Sequence, residues 1–164
     1  MIPPSPPGQG FMIHHTDEPD DLATFERVAR ASCYLTLATA DEQGAPWATP
    51  VWFASADLVD FLWVSSLQTR HSRNLAGRPE VALSIFDSHQ VPGTGRGVYV
   101  RASAGRVPDA DLAAALVAYS AESLRQGMGE WAWDRVTGSA KHRMYRATAL
   151  ERFVLDSRVE RLRI

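Results

Sequence analysis

Apolar residues recur along this chain with two periods, and the switches between them mark its elements. Leu22, Phe25, Val28 and Ala29 fall at helical spacing and predict a helix over about Asp20 to Ser32 with one apolar face, N-capped by Asp17 or Asp20. From Cys33 the period drops to two. CYLTLATA alternates apolar and polar residues, DEQGAP supplies a turn with Gly44 suited to positive φ, and WATPVWFAS resumes the alternation. Residues 34–40 and 46–55 therefore predict a β-hairpin. A second turn around Ala56 to Asp60 leads into FLWVSS, so three consecutive strands are expected to form an antiparallel meander. Pro50 removes a ladder donor and places its strand at a sheet edge or at a bulge.

Residues 69–78 predict a short helix, capped by Thr69 and ended where Arg78 precedes Pro79. VALSIFD is a buried strand and GVYVRASAGRV an alternating one; the loop between them, DSHQVPGTGRG, has glycines but neither the lysine nor the spacing of a P-loop. DADLAAALVAYSAESLRQG predicts a helix capped by Asp109 and stopped by Gly127, and EWAWDRV adds a helical turn. HRMYRATALERFVLD and RVERLRI alternate like two further strands. Six or seven hairpin-linked strands with few helices predict a mainly β (α+β) domain, a small antiparallel barrel with flanking helices.

Composition narrows the function classes. A chain of 164 residues with 45% hydrophobic and 22% charged residues fits one globular domain, expected over 20–164, behind a flexible Pro- and Gly-rich tail over 1–19. A formal net charge of -2 gives no basic footprint for nucleic acid. The single Cys33 excludes an internal disulfide framework and a cysteine zinc cluster, and fits a reducing, cytoplasmic setting. No apolar run approaches the roughly 20 residues that span a bilayer, and MIPPSPPGQG lacks the basic and apolar regions of a secretory signal. His14 and His15 have no partner cluster nearby, so they are expected to be a solvated pair and no metal site is expected.

The most informative chemistry lies between residues 61 and 87. FLWVSS ends in the hydroxyls of Ser65 and Ser66, and a short helix start follows with Arg70, His71, Arg73 and Asn74. Unpaired N–H groups and partial positive charge at a helix N-terminus, with hydroxyls and a guanidinium added, suit a phosphate dianion. Read from the residues alone, Arg70 and Arg73 are better taken as solvated residues of a helix face. Trp63 is expected in the core; Trp52, beside Pro50, is the best candidate to wall a flat ring. Asp109, Asp111 and Glu122 are expected on a solvated helix. No carboxylate pair or Ser-His-Asp arrangement has interpretable spacing, so no catalytic side chain is assigned.

The succession TLATADEQGAPWATPVWF, FLWVSS, TRHSRNLAGRPEVALSIFD, GTGRGVYVRASAGRV and HRMYRATALERFVL resembles the pyridoxamine 5'-phosphate oxidase-like family, the FMN-binding split β-barrel proteins, over about residues 20–164. That resemblance implies a six-stranded antiparallel split β-barrel and a homodimer with one FMN in each of two interface clefts. It implies that the backbone from Ala48 through Thr49, Pro50, Val51 and Trp52 lies along the flavin ring. It also implies that the strand end at Val64 to Ser66, with Arg70 and His71, holds the phosphate. Arg73 is expected to point elsewhere. Asn74, three residues beyond His71, reaches the site or caps a loop.

Two departures limit the carry-over. Related oxidases often have lysine where this chain has His71; a histidine can still donate, and a neighbouring phosphate favours its charged form. The segment KHRMYRATALERF has Arg143 at a matching position but not the remainder of the substrate-gripping signature. Arg143 is therefore a cofactor or substrate contact, or a residue of an exposed strand face, and vitamin B6 oxidation is not inferred. The expectation is an FMN-dependent oxidoreductase acting on a small molecule, in which the flavin performs the electron chemistry. The alternatives are an F420-dependent reductase on the same fold and a flavin- or haem-binding protein that stores or senses its ligand without turnover.

Overall fold

A computed structural model of the chain describes residues 19–91, 96–155 and 161–164. Residues 1–18, with Asp17, His14 and His15, lie outside it, as do Pro92 and most of the GTGRG loop and residues 156–160. Helix α1 (Pro19–Ala31) opens the described chain, with proline at its first position, where a missing N–H costs nothing. Strands β1 (Tyr34–Ala40), β2 (Pro46–Trp52) and β3 (Asp60–Ser66) precede helix α2 (Arg70–Gly77). Strands β4 (Glu80–Phe86) and β5 (Gly97–Arg106), helix α3 (Leu112–Arg125), a 3-10 turn (Trp133–Arg135), and strands β6 (His142–Leu155) and β7 (Arg161–Arg163) complete it. The sheet runs β2-β1-β4-β5-β6-β3, all antiparallel, with β7 added along β6. It is a curled, six-stranded half-barrel with three helices.

The hairpin β1–β2 is as expected, but the meander is not. β3 ladders with β6, at the far end of the sheet, from Asp60↔Thr148 to Ser66↔His142. Only one bridge, Ala54↔Leu62, joins the end of β2 to β3, so the two outer strands of the curled sheet meet at a single point. The connection turns this corner with fixed geometry. The Asp57 carboxylate accepts the N–H groups of Val59 (2.9 Å) and Asp60 (3.0 Å), the Ser55 hydroxyl accepts that of Leu58 (3.0 Å), and Leu58 takes φ 56°. A leucine in that region is strained; its side chain is buried in the barrel core, which offsets the cost.

Inward residues of the strands fill that core: Leu35, Leu37, Val51, Phe61, Trp63, Leu83, Ile85, Val98, Val100 and Val154 among them. Phe25, Val28 and Ala29 of α1 and Leu75 of α2 join the same cluster. Leu22 does not share the burial of its helical neighbours and stays exposed. A second cluster forms where α3 covers Leu62, Val107 and Met144 with Leu112, Ala115, Leu116 and Tyr119. Asp109 does not cap α3: Asp111 precedes the helix, and no side-chain cap bond is made. Asp109 pairs with Arg106 instead (3.5 Å), and Asp111 is drawn to Arg146 of β6 (3.0 Å), so α3 is tied down through its flanking carboxylate. Gly127, at φ 75°, ends the region as expected, its N–H returning to the Leu124 carbonyl.

Candidate functional site

Thr69 organises the start of α2. Its backbone is extended and its hydroxyl accepts the Ser72 N–H, the arrangement of an N-cap. The same hydroxyl donates to the Ser66 carbonyl (3.0 Å) or the Ser72 hydroxyl (2.8 Å), which fixes the strand-to-helix corner. His71 turns beneath this corner. Its Nε2 lies 2.7 Å from Ser65 Oγ and 3.1 Å from Thr69 Oγ1, and the ring is only 4% exposed. Burial pushes the imidazole below its ordinary value, so it is neutral at pH 7. Ser65, Ser66, Thr69, His71 and Ser72 thus form one buried or half-buried group of hydroxyls and imidazole at the N-terminus of α2, where the Thr69 N–H bonds the Ser66 carbonyl and the Ser72 N–H the Thr69 hydroxyl.

Arg70 points the other way. Its guanidinium lies over the Trp47 ring, 4.9 Å from the centroid, and 3.8 Å from the Asp41 carboxylate. It lines a cavity of about 310 Å³ together with Asp41, Glu42, Gln43, Arg73 and Asn74. Arg73, expected to point away, is therefore a wall of the same cavity, its guanidinium donating to the Gln68 carbonyl at 2.6 Å. Asn74 is buried below; its amide donates to Thr39 Oγ1 (3.0 Å), and Thr39 in turn donates to the Trp47 carbonyl (3.3 Å). That chain docks the β1–β2 hairpin against α2. No sequence pattern signalled it, because Thr39 and Asn74 are 35 positions apart.

Pro50 sits on a regular edge strand: β2 pairs only with β1, in unbroken register, with Pro50 opposite Thr36. Backbone bonds from Phe53 N to the Cys33 carbonyl and from Asp41 N to the Ala45 carbonyl bracket the ladder and set its phase. Odd-numbered residues of β2 bond to β1, so the backbone groups of Ala48, Pro50 and Trp52 face outward. The missing proline N–H falls on the free edge, where no ladder bond is lost. Thr49 and Val51 belong to the bonded phase, and Val51 is in the core. Trp52 packs edge-on against Tyr119 (4.7 Å between centroids) and donates its indole N–H to Gln126 at 2.8 Å. Trp131 joins the cluster against Tyr119, with the Arg135 guanidinium 4.0 Å over its ring.

Arg143 lies directly across from Ser65 in the β3–β6 ladder. Its terminal nitrogens donate to the carbonyls of Gly138 (2.6 Å), Ala140 (2.5 Å) and His142 (2.7 Å), closing the turn before β6. Its Nε is buried without a hydrogen-bond partner; among the described residues the one other such atom is Trp63 Nε1, inside the barrel. The expected site residues therefore fall into three neighbouring groups: Ser65, Ser66 and His71 under the corner, Arg70 and Asn74 at the cavity, and Thr49 to Trp52 along the free edge, with Arg143 beside the first. The described residues hold no group of three metal-ligating side chains and no helix long and apolar enough to cross a membrane.

The groups present suit a phosphate: four hydroxyls and an imidazole gather at the N-terminus of α2, the Arg70 guanidinium lines the neighbouring cavity, and the nearby Arg143 Nε is unsatisfied. The free edge offers outward amides and carbonyls to the edge of a flat heterocycle.

Comparison with known proteins adds the following. The family model described as pyridoxamine 5'-phosphate oxidase matches residues 23–161. A pyridoxine/pyridoxamine 5'-phosphate oxidase from Pseudomonas savastanoi pv. phaseolicola is 28% identical over 126 residues, 77% of this chain and 55% of that protein. A haem-binding protein from Mycobacterium smegmatis superimposes with a TM-score of 0.71 at 18% identity, over 91% of this chain and 59% of that one. This chain thus spans a little over half the length of either protein. An FAD-binding protein from Mesorhizobium loti superimposes with a TM-score of 0.60 at 20% identity, over 79% of this chain and 89% of that one. At such identities the two structures establish the fold alone.

Proposed function

Because this chain belongs to the pyridoxamine 5'-phosphate oxidase family, we propose that it is an FMN-dependent oxidoreductase acting on a small molecule. The observation that carries this reading is the convergence of Ser65, Thr69 and His71 at the N-terminus of α2, with Arg70 beside them. Ser65, Ser66, His71, Arg70 and Asn74 would surround the phosphate, with Arg143 approaching from β6 through its unpaired Nε. The edge strand β2 from Thr49 to Trp52 would line the ring, its outward backbone groups at Pro50 and Trp52 facing it, with the Trp52–Tyr119–Trp131 cluster excluding water at its end. When bound, FMN supplies two-electron chemistry at its ring. The protein's own residues bind and orient it, and no side chain here is required as acid or base.

A homodimer with the cofactor at its interface belongs to the same proposal. Tyr34 (60% exposed) on β1 and Phe86 (56%) on β4 share the outward face of the sheet, and the residues of the edge strand β2 are themselves mostly exposed. A second copy covering that face would bury this apolar surface and wall in the free edge of β2.

The test is the absorption spectrum of the purified protein, followed by titration with FMN and riboflavin and anaerobic reduction with NADPH. A two-banded flavin spectrum, tight FMN and weak riboflavin support the proposal. A deazaflavin band or a Soret band in its place would overturn it in favour of F420 or haem.

A further inference from the structure

Arg70 is expected to meet the cofactor's phosphate, yet it is already engaged, and the group that engages it is itself rigidly placed. Asp41 ends β1 and opens the turn to β2. Its Oδ1 accepts the N–H groups of Gln43 (3.1 Å) and Ala45 (2.8 Å), while Gly44, at φ 85°, returns its N–H to the Asp41 carbonyl at 2.9 Å. With one oxygen committed to the turn, Oδ2 faces Arg70 at 3.8 Å. Trp47 supports the guanidinium from its face. The turn cannot drift away, because Asn74 and Thr39 tie the hairpin to α2. The cavity wall then holds two carboxylates, Asp41 and Glu42, against two guanidiniums, Arg70 and Arg73. A dianion entering it meets a lining of balanced charge and must compete with Asp41 for its best donor.

We propose that Asp41 is a positioning residue that holds Arg70 across the cavity mouth in the ligand-free protein and yields it to the ligand's phosphate on binding. Asp41 thereby sets the threshold of phosphate affinity: phosphate-bearing ligands gain Arg70 only by exchanging for a fixed carboxylate, whereas uncharged analogues gain nothing. This rests on the reading that Arg70 contacts the phosphate of FMN.

The experiment is a double-mutant cycle on the full chain with Asp41→Asn, Arg70→Ala and both together, each titrated with FMN and with riboflavin. Asparagine keeps the oxygen that accepts the Gln43 and Ala45 amides and removes the charge; Asp41→Ser is the second variant should the first fail to fold. Asp41→Asn should bind FMN about two- to fivefold more tightly, the range of an exposed ion pair. Riboflavin affinity should stay within about twofold, and the gain should vanish when Arg70 is alanine. A purely structural role for Asp41 would shift both ligands alike. If Arg70→Ala weakens FMN while Asp41→Asn leaves it unchanged or weaker, the exchange is refuted and the phosphate role of Arg70 stands. If Arg70→Ala leaves FMN affinity unchanged, the phosphate assignment fails, and the exchange with it.

Discussion

The link between Thr39 and Asn74 carries a quantitative prediction. Both side chains are buried, and their bond is the buried side-chain tie between the β1–β2 hairpin and α2, beside the more exposed contact of Arg70 with Asp41 and Trp47. Asn74→Ala removes a donor and leaves Thr39 with its second partner, the Trp47 carbonyl. The loss is one neutral hydrogen bond, about 1 kcal/mol, and alanine's better helix propensity returns about half of it. The expected net cost is about 0.5 kcal/mol. Thr39→Val is nearly isosteric and suits a strand, yet it strands the Asn74 amide in the interior. An unsatisfied buried donor costs about 1–3 kcal/mol. The smaller chemical change is therefore the more damaging one. The double variant removes the stranded donor as well, so its cost should fall below the sum of the singles by about 1 kcal/mol. Urea unfolding of the apoprotein followed by tryptophan fluorescence, at one fixed protein concentration, measures all three. If Asn74→Ala costs more than Thr39→Val, or if the two costs simply add, the tie does not hold the hairpin as described.

His71 should make the fold sensitive to acid. Its imidazole is held below its ordinary value by burial, so below about pH 6.5 the unfolded chain takes up a proton that the native state refuses. Apoprotein stability should fall as pH drops from about 6.5 toward the depressed native value, and His71→Gln should flatten that slope; an unchanged slope would show that native His71 takes up its proton as readily as the unfolded chain does. FMN should oppose the trend, because a phosphate dianion favours the charged ring, and its binding should be accompanied by proton uptake measurable by calorimetry in buffers of different ionisation enthalpy. Sedimentation over a dilution series should show a dimer that FMN strengthens; a monomer binding FMN at full affinity would remove the interface site. Trp52→Phe should retain the Tyr119 packing and lose the bond to Gln126, costing about 1 kcal/mol in thermal or urea unfolding; no change would show that bond to be exchanged for water at no cost.

Local pattern determined the elements, because local physics makes them. Alternation in CYLTLATA and WATPVWFAS specified a hairpin whose register is Tyr34↔Trp52 to Ala40↔Pro46. The hydroxyl of Thr69 capped α2, the Arg78–Pro79 step ended it, and Gly127 terminated the α3 region, each through backbone geometry confined to a few residues. The order of motifs also carried the family and the split-barrel fold. What remained hidden was non-local. Strand β3 leaves its sequence neighbour for β6, with partners from Asp60↔Thr148 to Ser66↔His142, because curling the sheet brings its two outer edges together only at Ala54 and Leu62. Asp109 is the cap that local pattern predicts for α3, but the helix starts after Asp111, whose carboxylate is drawn to Arg146 on β6. Arg70 and His71 are adjacent in sequence, and a helix sends adjacent side chains about 100° apart. One therefore enters the buried hydroxyl cluster and the other the open cavity facing Asp41. The sequence by itself determined which chemical groups gather near the start of α2. The packing of α2 on the strands and on the β1–β2 turn decided which are buried, which are paired, and which stand ready to be exchanged for a ligand.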